Sequence, residues 1–261
     1  MEFYSFMEQG LAIAFNSLLI VASYPLVFLF ERIFSLVSQS RLLELSDTNN
    51  TLLRELANKA PGTFQHSLQV SNLASDAAEK IGADMMLARV GALYHDIGKM
   101  RNPQCFVENR AGGLNYHEGL SPMESAKQII RHVDDGIEIA KKHRLPDIVI
   151  DFIKTHHAQS LTFYFYAEYC NSGGDKENIA PFKYNGVLPQ TKEQVIVLMA
   201  DAVEAASRSL KDYSAQSISD LVDNIIGKRL SDSQLADADI SIREISIVKR
   251  MFKSRLEQVY H

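Results

Sequence analysis

Seven side chains in this sequence pair the chemistry of metal ligation with positions on apolar helix faces. His95 and Asp96 stand side by side in GALYHDIGKM (residues 91–100), directly after an apolar run that ends at Tyr94. A buried imidazole beside a buried carboxylate is costly unless a hydrogen bond or a cation pairs with both. The same anomaly recurs at His66, on the stripe His66, Val70, Leu73, Ala77 and Ile81. It recurs at His132 after Ile129 and Ile130, and at His156 and His157, which close DFIKTHH. Asp201 interrupts VIVLMA and AVEAA, with Val197 and Ala205 one turn to either side. One histidine on an apolar face is ordinarily a hydrogen-bonded core residue, and one such aspartate can be a buried cap partner. Five of the eight histidines and two carboxylates within one domain are hard to satisfy separately. A shared metal centre pairs all of them, and a mixed imidazole and carboxylate set suits iron or manganese among first-row ions.

The elements that must position these groups are helices. Beyond residue 60 the apolar period is helical, with almost no strand alternation, so the expected fold class is all-α. PGTFQHSLQVSNLASDAAEKIGA reads as a helix ending near Gly82. ADMMLARVGALYHDIGK places Leu87, Gly91 and His95 on one face, with His95 and Asp96 at its end. SPMESAKQIIRHV opens with Ser121 as N-cap, Pro122 at the first helical position and Glu124 closing a capping box. Asp135–Gly136 is expected to interrupt the next segment, which stops before Pro146. DIVIDFIKTHHAQS and KEQVIVLMADAVEAASRSL follow, then two amphipathic helices, the last capped by Ser241 and Glu244. Residues 31–60 read as a connector helix broken once, at SDTNN. Residues 167–190, centred on NSGGDKEN, read as one long irregular stretch of the kind that forms lids.

Composition sets the remaining bounds. The 261 residues suffice for a sizeable core, 46% are hydrophobic and 23% charged, and 27 basic against 32 acidic residues leave a net charge of −5. Without a basic stripe, a nucleic-acid polymer is excluded as partner, whereas a small phosphate ligand needs only local cations. Cys105 and Cys170 are isolated in sequence, which fits a reducing compartment and no zinc ribbon. QGLAIAFNSLLIVASYPLVFLF (residues 9–30) holds no charged side chain and is long enough to cross a bilayer. It lacks the basic start and small-residue cleavage site of a signal peptide, and membrane helices tolerate a proline such as Pro25. Arg32 and Arg41 follow the span and no Lys or Arg precedes it. The positive-inside rule then puts the C-terminal part in the cytoplasm, below the cell (inner) membrane. Residues 1–40 form the expected membrane helix and juxtamembrane segment, and residues 41–261 the cytoplasmic domain. The connector and the C-terminal helix offer surfaces for a homodimer.

His66, the HDIGK of residues 95–99 and the distant Asp201 resemble the H…HD…D signature of the HD-domain metal phosphohydrolases. His132 and the pair His156–His157 are similar to the subgroup that holds two metals. LLELSD, APGTFQHSLQVSNLA, ARVGALYHDIGK, VENR, LSP, VIDFIKTHH, SLTFYFY and MADAVEAASRSL together resemble the seven-transmembrane HD family of PgpH-type cyclic di-AMP phosphodiesterases, from about residue 42 to 260. The resemblance implies an HD-domain helical bundle with a dinuclear centre of two divalent transition-metal ions, iron or manganese. One ion would be held by His66, His95, Asp96 and Asp201, the other by Asp96, His132, His156 and His157, with Asp96 bridging. A metal-bridging hydroxide would open cyclic di-AMP to linear pApA, and the catalytic residues would be Asp96 and Lys99, whose ammonium would balance charge on the phosphoryl oxygens. Gly98 is expected to matter through a close approach of backbone to the site.

The family carries several membrane helices and an extracytoplasmic domain ahead of its HD domain. This chain, with room for one span, resembles the C-terminal piece of such a protein or a shortened relative. FKYNGVLPQTKE lacks the family's extra prolines in that region, which bears on base specificity. The alternatives are an HD phosphohydrolase for cyclic di-GMP, alarmones or nucleoside phosphates, and a non-catalytic nucleotide-binding membrane receptor. HHAQS without Gly-Tyr-Pro argues against the cyclic di-GMP group, a single metal would leave His132, His156 and His157 unexplained, and a receptor would lack a ligand. His143 reads as a solvated helix-end cation, His117 as a surface-loop residue and His261 as a frayed terminus.

Overall fold

The structure, a computed structural model, describes residues 2–34, 37–110 and 115–260. Twelve α-helices and four short 3-10 helices account for the regular structure among them, with one isolated bridge between Leu161 and Lys183. Helix α1 (Glu2–Phe34) runs through Pro25, and none of its residues from Met7 to Leu26 is buried. Leu11, Ile13, Leu18, Ile20 and Val21 are all more than 60% exposed. That much uncovered apolar surface calls for a lipid or protein partner. By length and composition α1 is long enough to span a bilayer.

The core begins with α2 (Gln39–Ser46) and α3 (Thr51–Lys59), which bury Leu42, Leu45, Leu52, Leu53 and Leu56. At its centre α4 (Pro61–Ile81) packs on α5 (Met85–Tyr94), α10 (Lys192–Ser207) and α12 (Ile242–Tyr260). Tyr94 is fully buried because its hydroxyl donates to the Leu45 carbonyl at 3.0 Å. Helix α4 starts with Pro61 at the first turn and has no side-chain cap of its own. Asn109 supplies one from a distant turn, its Oδ1 accepting from the Thr63 amide at 3.0 Å. Gly82, at φ +68°, closes the helix in the left-handed region.

Helix α6 (Pro122–Ile130) carries the expected capping box, Ser121 and Glu124 exchanging bonds at 2.9 and 3.3 Å. The box at Ser241 and Glu244 opens α12 in the same way. Helix α7 (His132–Lys142) runs through Asp135–Gly136 without the expected interruption. Glycine is tolerated there because a Cβ at 136 would stand 2.9 Å from Ile153 Cγ2, so crossing geometry outweighs helix propensity. Helix α8 (Asp147–Thr155) crosses α5 at Gly91, where a Cβ would meet the Phe152 ring at 2.4 Å.

The irregular stretch is shorter than expected. Helix α9 (Phe163–Asn171) enters it, a 3-10 turn at Ala180–Phe182 follows, and Phe182 and Tyr184 are buried. The connector turns at 47–50 as expected but is also interrupted at 37–38, where Ser38 caps α2. Helix α11 (Ala215–Ser231) completes the bundle. His143 caps the exposed end of α7. His117 lies in a turn as expected and is half-buried there, its Nε2–H donating to the Cys105 carbonyl at 2.9 Å. His261 lies outside the described residues.

Candidate metal centre

Five helices and the turns at their ends deliver the seven side chains to one buried spot. His66 comes from the second turn of α4 and Asp201 from the middle of α10. His132 is the first residue of α7, and His156 caps the end of α8 with His157 just beyond it. Helix α5 stops at Tyr94, two residues short of the expected end at Asp96, with His95 as its C-cap. Asp96 then takes φ −110°, ψ 13°, the sparsely populated bridge region in which many active-site residues sit. That turn aims both side chains inward and starts the 3-10 helix Ile97–Arg101. Gly98 sits where a Cβ would be 1.8 Å from the His132 carbonyl oxygen, so the expected close backbone approach is real.

The two carboxylate oxygens of Asp96 face opposite clusters. Oδ2 lies 3.6 Å from His66 Nε2 and 3.3 Å from His95 Nε2. Oδ1 lies 3.3 Å from His132 Nε2 and 3.6 Å from His156 Nε2. Asp201 closes the first cluster, its Oδ1 2.9 Å from His66 Nε2 and 3.7 Å from His95 Nε2, while its Oδ2 is 3.7 Å from His157 Nδ1. Within His66, His95, Asp96 and Asp201, and again within Asp96, His132, His156 and His157, ligand atoms lie within 4.8 Å of one another. These are the two sets that the sequence resemblance implies.

A cation fits this geometry for a reason visible in the hydrogen bonds. His95, His132 and His156 each place Nδ1 against the carbonyl three residues earlier, at 2.6, 2.7 and 2.9 Å. A carbonyl only accepts, so Nδ1 carries a proton and Nε2 is the nitrogen left to offer a lone pair to an ion. Two of these lone pairs, on His132 and His156, face each other at 3.1 Å. His95 Nε2 and Asp96 Oδ1 are buried with no hydrogen-bond partner. Converging donor atoms of this kind repel one another unless a positive ion lies between them.

The first cluster is negative enough that protons take a cation's place when no ion is bound. Burial alone would depress His95, but Asp96 and Asp201 carry it up to about 10, and His66 is likewise raised against its burial by Asp201 and Glu204. Burial opposes ionisation of Asp96, yet Lys99 and His95 hold its carboxyl well below the usual carboxylate range. Burial pushes His156 and His157 down, which favours their neutral form.

Lys99 joins the centre as a buried ion pair, its Nζ 2.7 Å from Asp96 Oδ2 and 2.9 Å from Glu108 Oε1. Three residues that the sequence reading did not single out border the site. Glu108 anchors Lys99 and accepts from Thr63 Oγ1 at 3.3 Å. Tyr184 lays its ring 4.2 Å from that of His157, and burial raises its hydroxyl pKa. Glu204 accepts from His66 Nδ1. Ala205 is exposed, so Glu204 rather than Ala205 occupies the buried position one turn beyond Asp201. The i,i+3 spacing of Asp201 and Glu204 was a usable signal, whereas Tyr184 lies in a stretch without periodicity.

The HD-domain family model matches residues 63–206. The cyclic-di-AMP phosphodiesterase PgpH of Listeria monocytogenes is 43% identical over 233 residues, covering 89% of this chain and 32% of that protein. PgpH of Bacillus subtilis is 38% identical over 262 residues, covering 100% and 36%. The chain therefore spans about a third of the length of these curated relatives. The crystal structure of the L. monocytogenes PgpH HD domain in complex with cyclic-di-AMP superposes with TM-score 0.77 at 41% identity, covering 82% of this chain and 100% of that one.

Proposed function

We propose that this chain, which belongs to the HD-domain family, is a metal-dependent phosphodiesterase that hydrolyses cyclic di-AMP to linear pApA at its histidine–aspartate centre. The observation that carries the chemistry is the convergence of bare imidazole Nε2 atoms on the two oxygens of Asp96. The substrate rests on the 41% identity to an HD domain solved with cyclic-di-AMP, over the whole of that domain.

His66, His95, Asp96 and Asp201 would hold one divalent ion, and Asp96, His132, His156 and His157 the other, with iron or manganese suited to both sets. Such a pair, when bound, supplies Lewis acidity that activates water and neutralises charge on the attacking and leaving oxygens. The residues do the rest. Asp96 keeps its charge because Lys99 stabilises the carboxylate, and the i−3 carbonyls fix the tautomers of three rings. Lys99 remains protonated between Asp96 and Glu108, a fixed positive charge where phosphoryl oxygens would arrive. His157, 20% exposed, and Lys99, 12% exposed, mark the side from which a phosphodiester enters. Water adds across the bond from phosphorus to the ribose 3′-oxygen: its oxygen stays on phosphorus and a proton goes to the 3′-oxygen.

Residues 41–261 would form the cytoplasmic catalytic domain, with Leu42 and Leu45 already in its core. Residues 1–40 would anchor it in the inner membrane, oriented by Arg32 and Arg41 after the apolar span. The full chain in detergent, loaded with Mn or Fe and given cyclic di-AMP or cyclic di-GMP, tests the reading by chromatography of products. Metal-dependent formation of pApA is expected. A metal-loaded chain that cuts neither dinucleotide would remove the substrate assignment and leave the centre standing.

A further inference from the structure

The histidines of the centre are not backed alike. His95, His132 and His156 lean on neutral main-chain carbonyls through Nδ1, each within its own turn. His66 sits inside α4, where its i−4 and i−3 carbonyls are taken up by the helix ladder, and its Nδ1 instead meets a carboxylate from another helix, Glu204 Oε2 of α10. Glu204 is itself gripped: Arg208, one turn on, donates from Nε at 2.9 Å and Nη2 at 2.7 Å to Oε1. The Glu204 side chain is 8% exposed and that of Arg208 36%, so a buried triad runs from the centre to the surface along α10.

The geometry points to Glu204 as a positioning residue, braced by Arg208, that holds His66 as the Nδ1–H tautomer and turns its Nε2 toward the first ion site. This inference rests on the metal-centre reading. Glu204 touches neither ion nor substrate; it acts through His66. Its consequence is an asymmetry. The site of His66, His95, Asp96 and Asp201 has two carboxylate ligands and a third carboxylate behind one ring. The site of Asp96, His132, His156 and His157 has one carboxylate, shared. Loss of Glu204 therefore weakens one ion site and spares the other. Carboxylates behind ligating imidazoles are typically worth about 10–100-fold in metal affinity.

The test is a Zn²⁺ titration of the metal-free full chain in detergent against a chromophoric chelator, together with NMR of exchange-protected imidazole N–H protons in the Zn-loaded chain. Wild type should take up two ions in separable phases and show a His66 Nδ1–H signal. Glu204→Gln keeps the side-chain shape and should weaken one phase by about tenfold or more, leave the other unchanged and shift or lose that signal. Arg208→Met should do the same more weakly, and should add little in the Glu204→Gln background. Glu204→Ala is the stronger truncation, and the isosteric Gln and surface Met variants keep the test decisive if it fails to fold. Unchanged binding and an unchanged His66 proton in Glu204→Gln would overturn the inference, as would equal weakening of both phases. Failure of wild type to bind Zn²⁺ at all would overturn the metal-centre reading beneath it.

Discussion

Replacing Gly98 by alanine separates the two ion sites by sterics alone. The new Cβ would stand 1.8 Å from the His132 carbonyl oxygen, 2.5 Å from the Gly136 amide nitrogen and 2.9 Å from the Gly136 Cα. All three are backbone atoms, so no rotamer change relieves the clash. Restoring an ordinary contact of about 3.4 Å requires the first turns of α7 to retreat by roughly 1.6 Å. His132 opens α7 and moves with it, away from Asp96 Oδ1 at 3.3 Å and His156 Nε2 at 3.1 Å. Metal–ligand distances tolerate about ±0.2 Å, so the site of Asp96, His132, His156 and His157 should be lost. His66, His95 and Asp201 lie on elements that need not follow α7. The expected result is about one ion per chain instead of two by elemental analysis, with turnover of cyclic di-AMP down at least ~100-fold. Overpacking should cost about 1–3 kcal/mol in denaturant unfolding. Gly227→Ala in α11 is the control, since nothing lies within 4 Å of its Cβ. It should leave hydrolysis unchanged and stabilise the chain by about 0.5–1 kcal/mol. Two bound ions and wild-type turnover in Gly98→Ala would refute the coupling of this crossing to the centre.

Other perturbations test the remaining parts. Asp96→Ala removes the carboxylate that faces both clusters and should abolish hydrolysis and lower metal content at both sites; a variant that still turns over substrate at the wild-type rate would disprove the assignment. His143→Ala, at the exposed end of α7, should change neither metal content nor rate. Stripping a loaded sample with chelator should lower its melting temperature, because an ion held at 100 times its Kd stabilises by about 2.7 kcal/mol; an unchanged melting curve would argue against buried ions. Glu244, held down to about 2 by Lys192 at 2.5 Å and by its capping bonds to Ser241, has its carboxyl depressed on folding. Its stabilisation is fully present above its unfolded value near 4.5 and is lost as pH falls through the folded one. The melting-temperature gap between wild type and Glu244→Gln should thus be widest near neutrality and close toward pH 2. A gap independent of pH would show that the ion pair and cap contribute nothing through charge.

Local chemistry in the chain determined the helical fold, most helix boundaries and which polar side chains are candidate ligands. Ser121–Glu124 and Ser241–Glu244 cap helices by contacts three residues apart, and such contacts are readable wherever they occur. The seven clustered side chains were legible because a polar group on an apolar stripe is an anomaly of pattern, whatever it later touches. Their pattern alone did not divide them into two clusters; the resemblance implied that division, and the packed helices are what bring each cluster together. The division of Asp96 between two clusters depends on the turn after Tyr94 and on how closely α7 approaches Gly98, and neither follows from periodicity. The unbroken α7 at Gly136 was hidden for the same reason: the absence of a Cβ reads as helix breaking until a neighbouring backbone occupies the space. Asn109 capping α4, Glu108 anchoring Lys99 and Glu204 backing His66 are contacts over 46, 9 and 138 residues. Sequence spacing encodes the reach of one helix turn, whereas those partnerships exist only once packed helices bring distant turns into hydrogen-bond range.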